Sequence, residues 1–342
     1  MAIPIVLTGV AVCDIIIANL ERIAEPGDIV YVSGSSSIEI GGHPCNIAID
    51  LAKMGYKSND IIAISSIGRD LCGEFILSTL KKYGIVVEFQ IERNSNSNKN
   101  IILVVKDEDR RFHVDVDATT KLSVDHVTNV IKRYRPGIFY IAPGLLGNVD
   151  DNLRNIFRAS KEVGAINITD IAAAKPFSKD TWTFLINSLE VVDVFHANLY
   201  EARRVFGVDS ITEIMKRILR LGVKIALITN GEKGAYLAKD NYIVYQPAFK
   251  VEVVDPTGAG DAFQAGFIYK LVDTLKNDLN PNKLDNLELE ELKYILLWAQ
   301  AAGASCVTGI GTTSAVSRQN IEHLILSQGD SILKATKVDV LE

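Results

Sequence analysis

Asp261 follows directly on Gly258, Ala259 and Gly260 in the stretch VEVVDPTGAGDAFQAGFIYK, residues 251–270. The apolar pattern behind it predicts a helix, which places the carboxylate in the first helical turn. Helix N-termini carry unpaired N–H groups and a partial positive charge, and so receive anions. Three small residues let backbone approach closely and form an anion-binding nest. A carboxylate beside such a nest can take a proton from a hydroxyl while the nest stabilises charge on a phosphoryl group in transfer. Aspartate is also favoured at helix starts for plain electrostatic reasons. Its contact with the Gly-Ala-Gly turn is what sharpens the chemical reading. A dinucleotide fingerprint is the weaker alternative. Ala262 and Phe263 close the motif wrongly, the glycines come late in the chain, and no GxxxxGK[ST] loop occurs.

The elements that must position this turn alternate regularly. The runs IVLTGVAV, IIAISSIG, IFYIAPG, AINITDI, VVDVFHAN and KIALITNG read as short buried strands. Helical patterns at 71–83, 151–163 and 211–221 lie between them. This order predicts an α/β fold with a mostly parallel central sheet flanked by helices. Two regions, 29–40 and 86–117, read instead as strand after strand with polar turns, including a hairpin around Asp107 to Arg110. They predict a small β-sheet lid inserted in the large α/β domain, with residues 1–342 as one domain. The polar segment 277–292 reads as a surface excursion before a final helix.

The 342 residues are 48% hydrophobic and 23% charged, with a formal net charge of -6. No long basic run occurs, which disfavours a nucleic-acid partner, although an anionic substrate stays open. Cys13, Cys45, Cys72 and Cys306 form no CxxC pair, and the five histidines form no HExxH. Buried free thiols in a reducing compartment are expected. The N-terminus lacks a basic leader region and no apolar run is long enough to span a bilayer, so no membrane partner is expected and the expected location is cytoplasmic.

The stretch VVDPTGAGDAFQAGF resembles the C-terminal signature of the ribokinase-like, or PfkB, family of carbohydrate and nucleoside kinases. The segment GGHPCNIAIDLAKMG, residues 41–55, resembles the family's N-terminal signature, and the similarity extends over about residues 3–316. The resemblance implies transfer of the γ-phosphoryl group of ATP to an alcohol of a sugar or nucleoside. Asp261 would be the base, and Gly258, Ala259 and Gly260 the anion hole. Asp255 resembles a family aspartate that shapes the loop, often beside a monovalent-cation site such as one for K+. It can equally be a turn residue ahead of Pro256.

Asn198 and Glu201, in FHANLYEA, resemble the N-x-x-E motif that serves Mg2+ through water, and can also form a helix capping box. Thr229, Gly231 and Gly234 match a turn near the nucleotide phosphates, or make a simple hairpin turn. For the acceptor, Gly41, Gly42 and Asn46 match the N-terminal signature. Asp14 matches an aspartate that holds sugar hydroxyls, with a surface turn as the alternative. His43, Pro44 and Cys45 depart from the commoner small residues. Asp170 stands where many relatives carry Asp-Pro-Asn, here altered, and its role is open. Relatives often dimerise through the lid, so a homodimer is expected. A sugar-phosphate kinase of the same fold would need basic groups near the acceptor, for which Arg69, Arg110 and Arg111 are candidates. A non-catalytic sugar- or nucleotide-binding relative would lack the base or the nest, and both are present.

Overall fold

Along the chain, strands β1 (Ile5–Thr8), β2 (Val12–Leu20) and β3 (Ser36–Gly41) lead into helix α1 (His43–Lys53). Next come β4 (Ile61–Ile64), β5 (Ser66–Gly68) and α2 (Leu71–Lys82). Strands β6 (Val86–Val87), β7 (Gln90–Glu92), β8 (Lys99–Val105) and β9 (Arg111–Asp115) precede α3 (Val124–Tyr134). The alternation continues through β10 (Ile138–Ile141), α4 (Asn148–Asp151), α5 (Leu153–Glu162), β11 (Ile166–Thr169) and α6 (Thr183–Ile186). It runs on through β12 (Val194–Asn198), α7 (Leu199–Phe206), α8 (Ile211–Arg220) and β13 (Ile225–Thr229). The last part holds β14 (Ala235–Lys239), β15 (Tyr242–Gln246), α9 (Ala259–Thr274), α10 (Leu289–Cys306), α11 (Arg318–Ala335) and β16 (Lys337–Val340). This is a computed structural model, and it describes residues 3–106, 108, 110–173, 175–177, 181–276 and 278–341.

Among the described residues, one ten-stranded sheet has the order β16-β15-β14-β13-β12-β11-β10-β1-β4-β6. Every neighbour pair from β6 to β13 is parallel, and β14, β15 and β16 are antiparallel additions at one edge. Alternate side chains serve opposite faces, as a pleat requires. Ile5 and Leu7 of β1 join a core with Ile47 of α1, Phe267 of α9 and Leu296 of α10. Val6 joins the other core, with Ile131 of α3, Ile156 of α5 and Ile214 of α8. Full burial of each such side chain contributes about 1.5–3 kcal/mol. Helix α9 is apolar nearly all round because α1 and α10 both pack against it.

A separate four-stranded sheet, β3-β2-β8-β9, is the lid. Its make-up differs from the expected segments. Residues 29–35 form no strand, and β2, which the apolar run IVLTGVAV masks in the sequence, is an inner strand of the lid. Within 86–117, β6 pairs with β4 in the large sheet and β7 pairs with β5, so only β8 and β9 belong to the lid. Strand patterning reports that a segment is extended, whereas the choice of sheet depends on partners distant in the chain. The β8–β9 hairpin forms as expected, but Asp107 and Asp109 of its turn lie outside the described residues. Helix α10 begins at Leu289, inside the polar segment expected over 277–292, and α11 comes after it, so two helices stand where one was expected.

Candidate active site

Two helix starts meet at Asp261. Gly258 opens α9 with φ 83°, and a Cβ there would stand 2.5 Å from the Thr312 carbonyl oxygen. Glycine is required on both counts. Gly42 does the same for α1, with φ 90° and an imagined Cβ 1.9 Å from the Val10 carbonyl oxygen. Helix α1 then presents Asn46, whose Nδ2 donates to Asp261 Oδ2 at 2.7 Å. Thr312 Oγ1 donates to Asn46 Oδ1 at 2.9 Å, so the amide orientation follows from its partners. His43 Nε2, also on α1, stands 3.8 Å from Asp261 Oδ1.

Burial raises the Asp261 pKa, and His43 and Asn46 oppose that rise without cancelling it. A carboxylate made more basic in this way is better suited to take a proton. Burial would lower the His43 pKa, but Asp261, followed by Asp170 and Glu201, raises it on balance.

A cavity of about 1150 Å³ opens beside this junction. Its lining includes the predicted Asn198, Glu201, Thr229, Gly231, Gly234 and the whole Gly258–Asp261 run. Asn198 ends β12 and Thr229 ends β13, at the carboxyl edge of the parallel sheet where α/β folds bind ligands. Gly231 and Gly234 lie in the turn that joins β13 to its antiparallel neighbour β14. Asn198 and Glu201 form a reciprocal capping box, with Glu201 N donating to Asn198 Oδ1 at 2.9 Å and Asn198 N donating to Glu201 Oε2 at 3.0 Å. Glu201 has its pKa pushed up to about 7 by burial, with the charge of Asp170 adding to the effect. Among the described residues no group of three or more His, Cys, Asp or Glu side chains is arranged to hold a metal ion.

Asp14, Gly41, Gly42 and Asn46, expected on the acceptor side, lie outside the cavity lining, whereas His43 of the same signature lies in it. Asp14 and Asn100 face each other across β2 and β8, and Asn100 Nδ2 donates to Asp14 Oδ1 at 2.7 Å. Gly41 lies against that carboxylate, since a Cβ there would stand 2.3 Å from Asp14 Oδ2. Burial pushes the Asp14 pKa up to about 6, against the hydrogen bond from Asn100. Asp255 is a turn residue. Its Oδ1 accepts from Thr257 N at 2.9 Å, and its Oδ2 accepts from Gly311 N at 3.1 Å.

Arg110, from the lid, donates through Nη1 to Asp255 Oδ1 at 2.6 Å and also to Thr257 Oγ1. It therefore ties the lid to the loop ahead of the anion nest. Arg111 is exposed and pairs with Glu108, and Arg69 is exposed on the turn before α2.

A buried pair was not predicted as such. His196 Nδ1 donates to Asp170 Oδ2 at 2.7 Å, and both residues line the cavity. Burial alone would raise the Asp170 pKa, but His196, and after it His43, brings it below the usual value. Strand alternation offered a signal for this pair, because His196 and Asn198 are two apart on β12 and share a face. Thr312, in the segment GASCVTGIGTTSAV, carried no comparable signal.

A model of the pfkB family carbohydrate kinases matches residues 5–319 of the chain. The chain is 28% identical over 247 residues to an ATP-dependent 6-phosphofructokinase of Thermoanaerobacterium thermosaccharolyticum, covering 70% of this chain and 75% of that one. It is 26% identical over 259 residues to a ribokinase of Staphylococcus aureus, covering 74% and 81% respectively. The solved ribokinase of Giardia lamblia superposes with a TM-score of 0.78 at 18% identity, covering 94% of this chain and 99% of that one. That likeness establishes the fold.

Proposed function

Because this chain belongs to the pfkB family of carbohydrate kinases, we propose that it transfers the γ-phosphoryl group of ATP to a sugar hydroxyl, with Asp261 as the base and Gly258, Ala259 and Gly260 as the anion hole. One observation carries the reading. Asp261 lines the cavity as the last residue of the Gly-Ala-Gly-Asp turn, while its Oδ2 is held by Asn46 of the acceptor signature. The carboxylate thus stands where a hydroxyl from one side would meet a phosphoryl group from the other. Proton removal by a positioned base contributes about 10²- to 10⁴-fold to such reactions. Asn46 fixes the base, and Asp14, with Asn100 beside it, offers a buried acceptor for sugar hydroxyls.

The residues present fit Mg2+ held mainly by phosphate and water. The capping box uses one Glu201 carboxylate oxygen, and among the described residues the other makes no hydrogen bond, in a residue that lines the cavity. The ion would neutralise phosphate charge when bound. A monovalent cation such as K+ fits less well at the Asp255 carboxylate, because Arg110 already supplies the positive charge there. The exposed Ile38 and Ile101 give the lid an apolar surface that supports a homodimer. Four unpaired cysteines accord with a cytoplasmic setting.

A sugar phosphate is the second reading for the acceptor. It is favoured by the 6-phosphofructokinase relative and by a lid arginine close to the site.

The test is ADP release with ATP and Mg2+ over a panel of sugars, sugar acids, sugar phosphates and nucleosides, for the wild type and Asp261→Asn. Acceptor-dependent turnover is expected to fall about 10²- to 10⁴-fold in the variant. Undiminished turnover would remove Asp261 as the base.

A further inference from the structure

The Thr312 hydroxyl lies within hydrogen-bond reach of two acceptors. Its Oγ1 is 2.9 Å from Asn46 Oδ1 and 3.0 Å from the Ile40 carbonyl oxygen of β3. Thr312 is 7% exposed and Asn46 2%, so solvent does not stand in for either partner. The Thr312 main chain is braced as closely. Its carbonyl accepts from Cys306 Sγ of α10 at 3.2 Å and lies against Gly258 at the start of α9. The next carbonyl, of Thr313, accepts from Lys53 Nζ of α1 at 2.6 Å. The hydroxyl therefore has a fixed origin where β3, α1 and α9 meet.

A hydroxyl carries one proton and donates to one of these acceptors at a time. Donation to Asn46 Oδ1 turns the amide nitrogen toward Asp261, and Nδ2 then donates to Oδ2 at 2.7 Å. Donation to Ile40 leaves Oγ1 as an acceptor, and the amide pairs with it only by turning over. Asn46 Oδ1 would then face the Asp261 carboxylate, and two acceptors repel unless a proton lies between them. The first setting suits an ionised carboxylate, the second a protonated one.

We infer that Thr312 is a positioning residue for the base. By donating to Asn46 it holds the amide in the first setting and keeps Asp261 Oδ2 filled. Oδ1 is then the atom that takes the proton of the acceptor hydroxyl. Among the described residues Oδ1 makes no hydrogen bond, and His43 Nε2 stands 3.8 Å from it, beyond hydrogen-bond length. In the step, the acceptor O–H bond breaks, its proton passes to Oδ1 and the oxygen's electron pair forms the new O–P bond. The bond between the γ-phosphorus and the bridging oxygen breaks, and that oxygen leaves with ADP. Thr312 touches none of the reacting atoms and acts through Asn46. This inference rests on Asp261 as the base in the kinase reading given above.

The experiment measures ADP release by the full-length protein with ATP, Mg2+ and the best acceptor from the panel above. ATP affinity by calorimetry and a thermal melt accompany each variant. Thr312→Val removes the hydroxyl and keeps the branched shape, whereas Thr312→Ser keeps the hydroxyl. Thr312→Val is also combined with Asp261→Asn, because a residue that acts only through the base costs nothing further once the base is gone.

In Thr312→Val, kcat is expected to fall about 10-fold, with ATP affinity and the acceptor KM within about twofold of wild type. Thr312→Ser should stay within about threefold of the wild-type kcat. In the Asp261→Asn background, Thr312→Val should leave the residual turnover unaltered. If Thr312→Val does not fold, Thr312→Ala, which also lacks the hydroxyl, takes its place in both backgrounds. An unchanged kcat in Thr312→Val, an equal loss in Thr312→Ser, or the same loss again in the Asp261→Asn background would overturn the inference. With Asp261→Asn itself impaired, any of these leaves the kinase reading intact. A wild type without acceptor-dependent turnover, or an Asp261→Asn variant as active as wild type, would overturn the base assignment and the inference together.

Discussion

The cavity side and the lid side of Asp261 are built by different means. On the cavity side, Asn198, Thr229 and the α9 start project from the carboxyl edge of a parallel sheet whose strands are buried on both faces. Asn198 and Glu201 hold each other, and Asp170 holds His196. On the lid side, Asp14 and Arg110 reach the site from a four-stranded sheet that leaves Ile38 55% and Ile101 42% exposed. The Arg110 contact with Asp255 bridges the two sides. On the proposed reading, the parallel-sheet core positions the phosphoryl side, while the acceptor side depends on how the lid is seated.

The strongest way to break the contrast is Gly258→Ala. The new Cβ would collide with the Thr312 carbonyl and hold a positive φ against its preference. A kcat loss of about 10²- to 10³-fold is expected from distortion of the nest, measured by steady-state turnover beside a thermal melt.

Arg110→Met tests the bridge. It should raise the acceptor KM about tenfold while nucleotide affinity holds, because the lid loses a charge-assisted bond. The wild type should turn over equally in potassium and choline buffers, and the variant should acquire a response to potassium as the Asp255 charge is uncovered.

Proton linkage at the lid gives a smaller effect. The Asp14 pKa is raised to about 6, so the carboxylate becomes protonated as pH falls through that value and loses its capacity to accept from sugar hydroxyls. The acceptor KM should therefore fall several-fold from pH 5 to pH 7, and Asp14→Asn should remove that dependence. The same raised value means that the group destabilises the empty fold as pH rises through about 6, which a melt against pH would register.

The mildest test concerns assembly. Ile38→Lys with Ile101→Lys should convert a dimer to a monomer in light scattering and change kcat little. A wild type that is already monomeric would remove the lid as an interface.

Much of this was legible in the residues. The period of the apolar runs gives β10, β11, β12 and β13 and the helices between them, because strand and helix patterns are local. The turn that carries Asp261 was legible too, since glycines and a helix start are local features. The lid's inner strand was not. Val12–Leu20 continues the first apolar run after Gly9, and nothing in that run says that it changes sheets. Asp170 was visible but unassigned, because its partner His196 lies 26 residues on and is brought close only by neighbouring parallel strands.

By itself, the sequence determined the class of fold, the alternation of the core strands and helices, and the Gly-Ala-Gly-Asp turn on which the proposed base sits. These depend on periodicity, backbone permissiveness and capping over a few neighbouring residues. Tertiary structure alone decided that Asn46 grips Asp261 across 215 residues and that Arg110 reaches Asp255 across 145. It also decided that His196 meets Asp170 across neighbouring parallel strands. Such pairings depend on how sheets and helices pack. A side chain's own neighbourhood in the chain carries no record of which distant group will meet it.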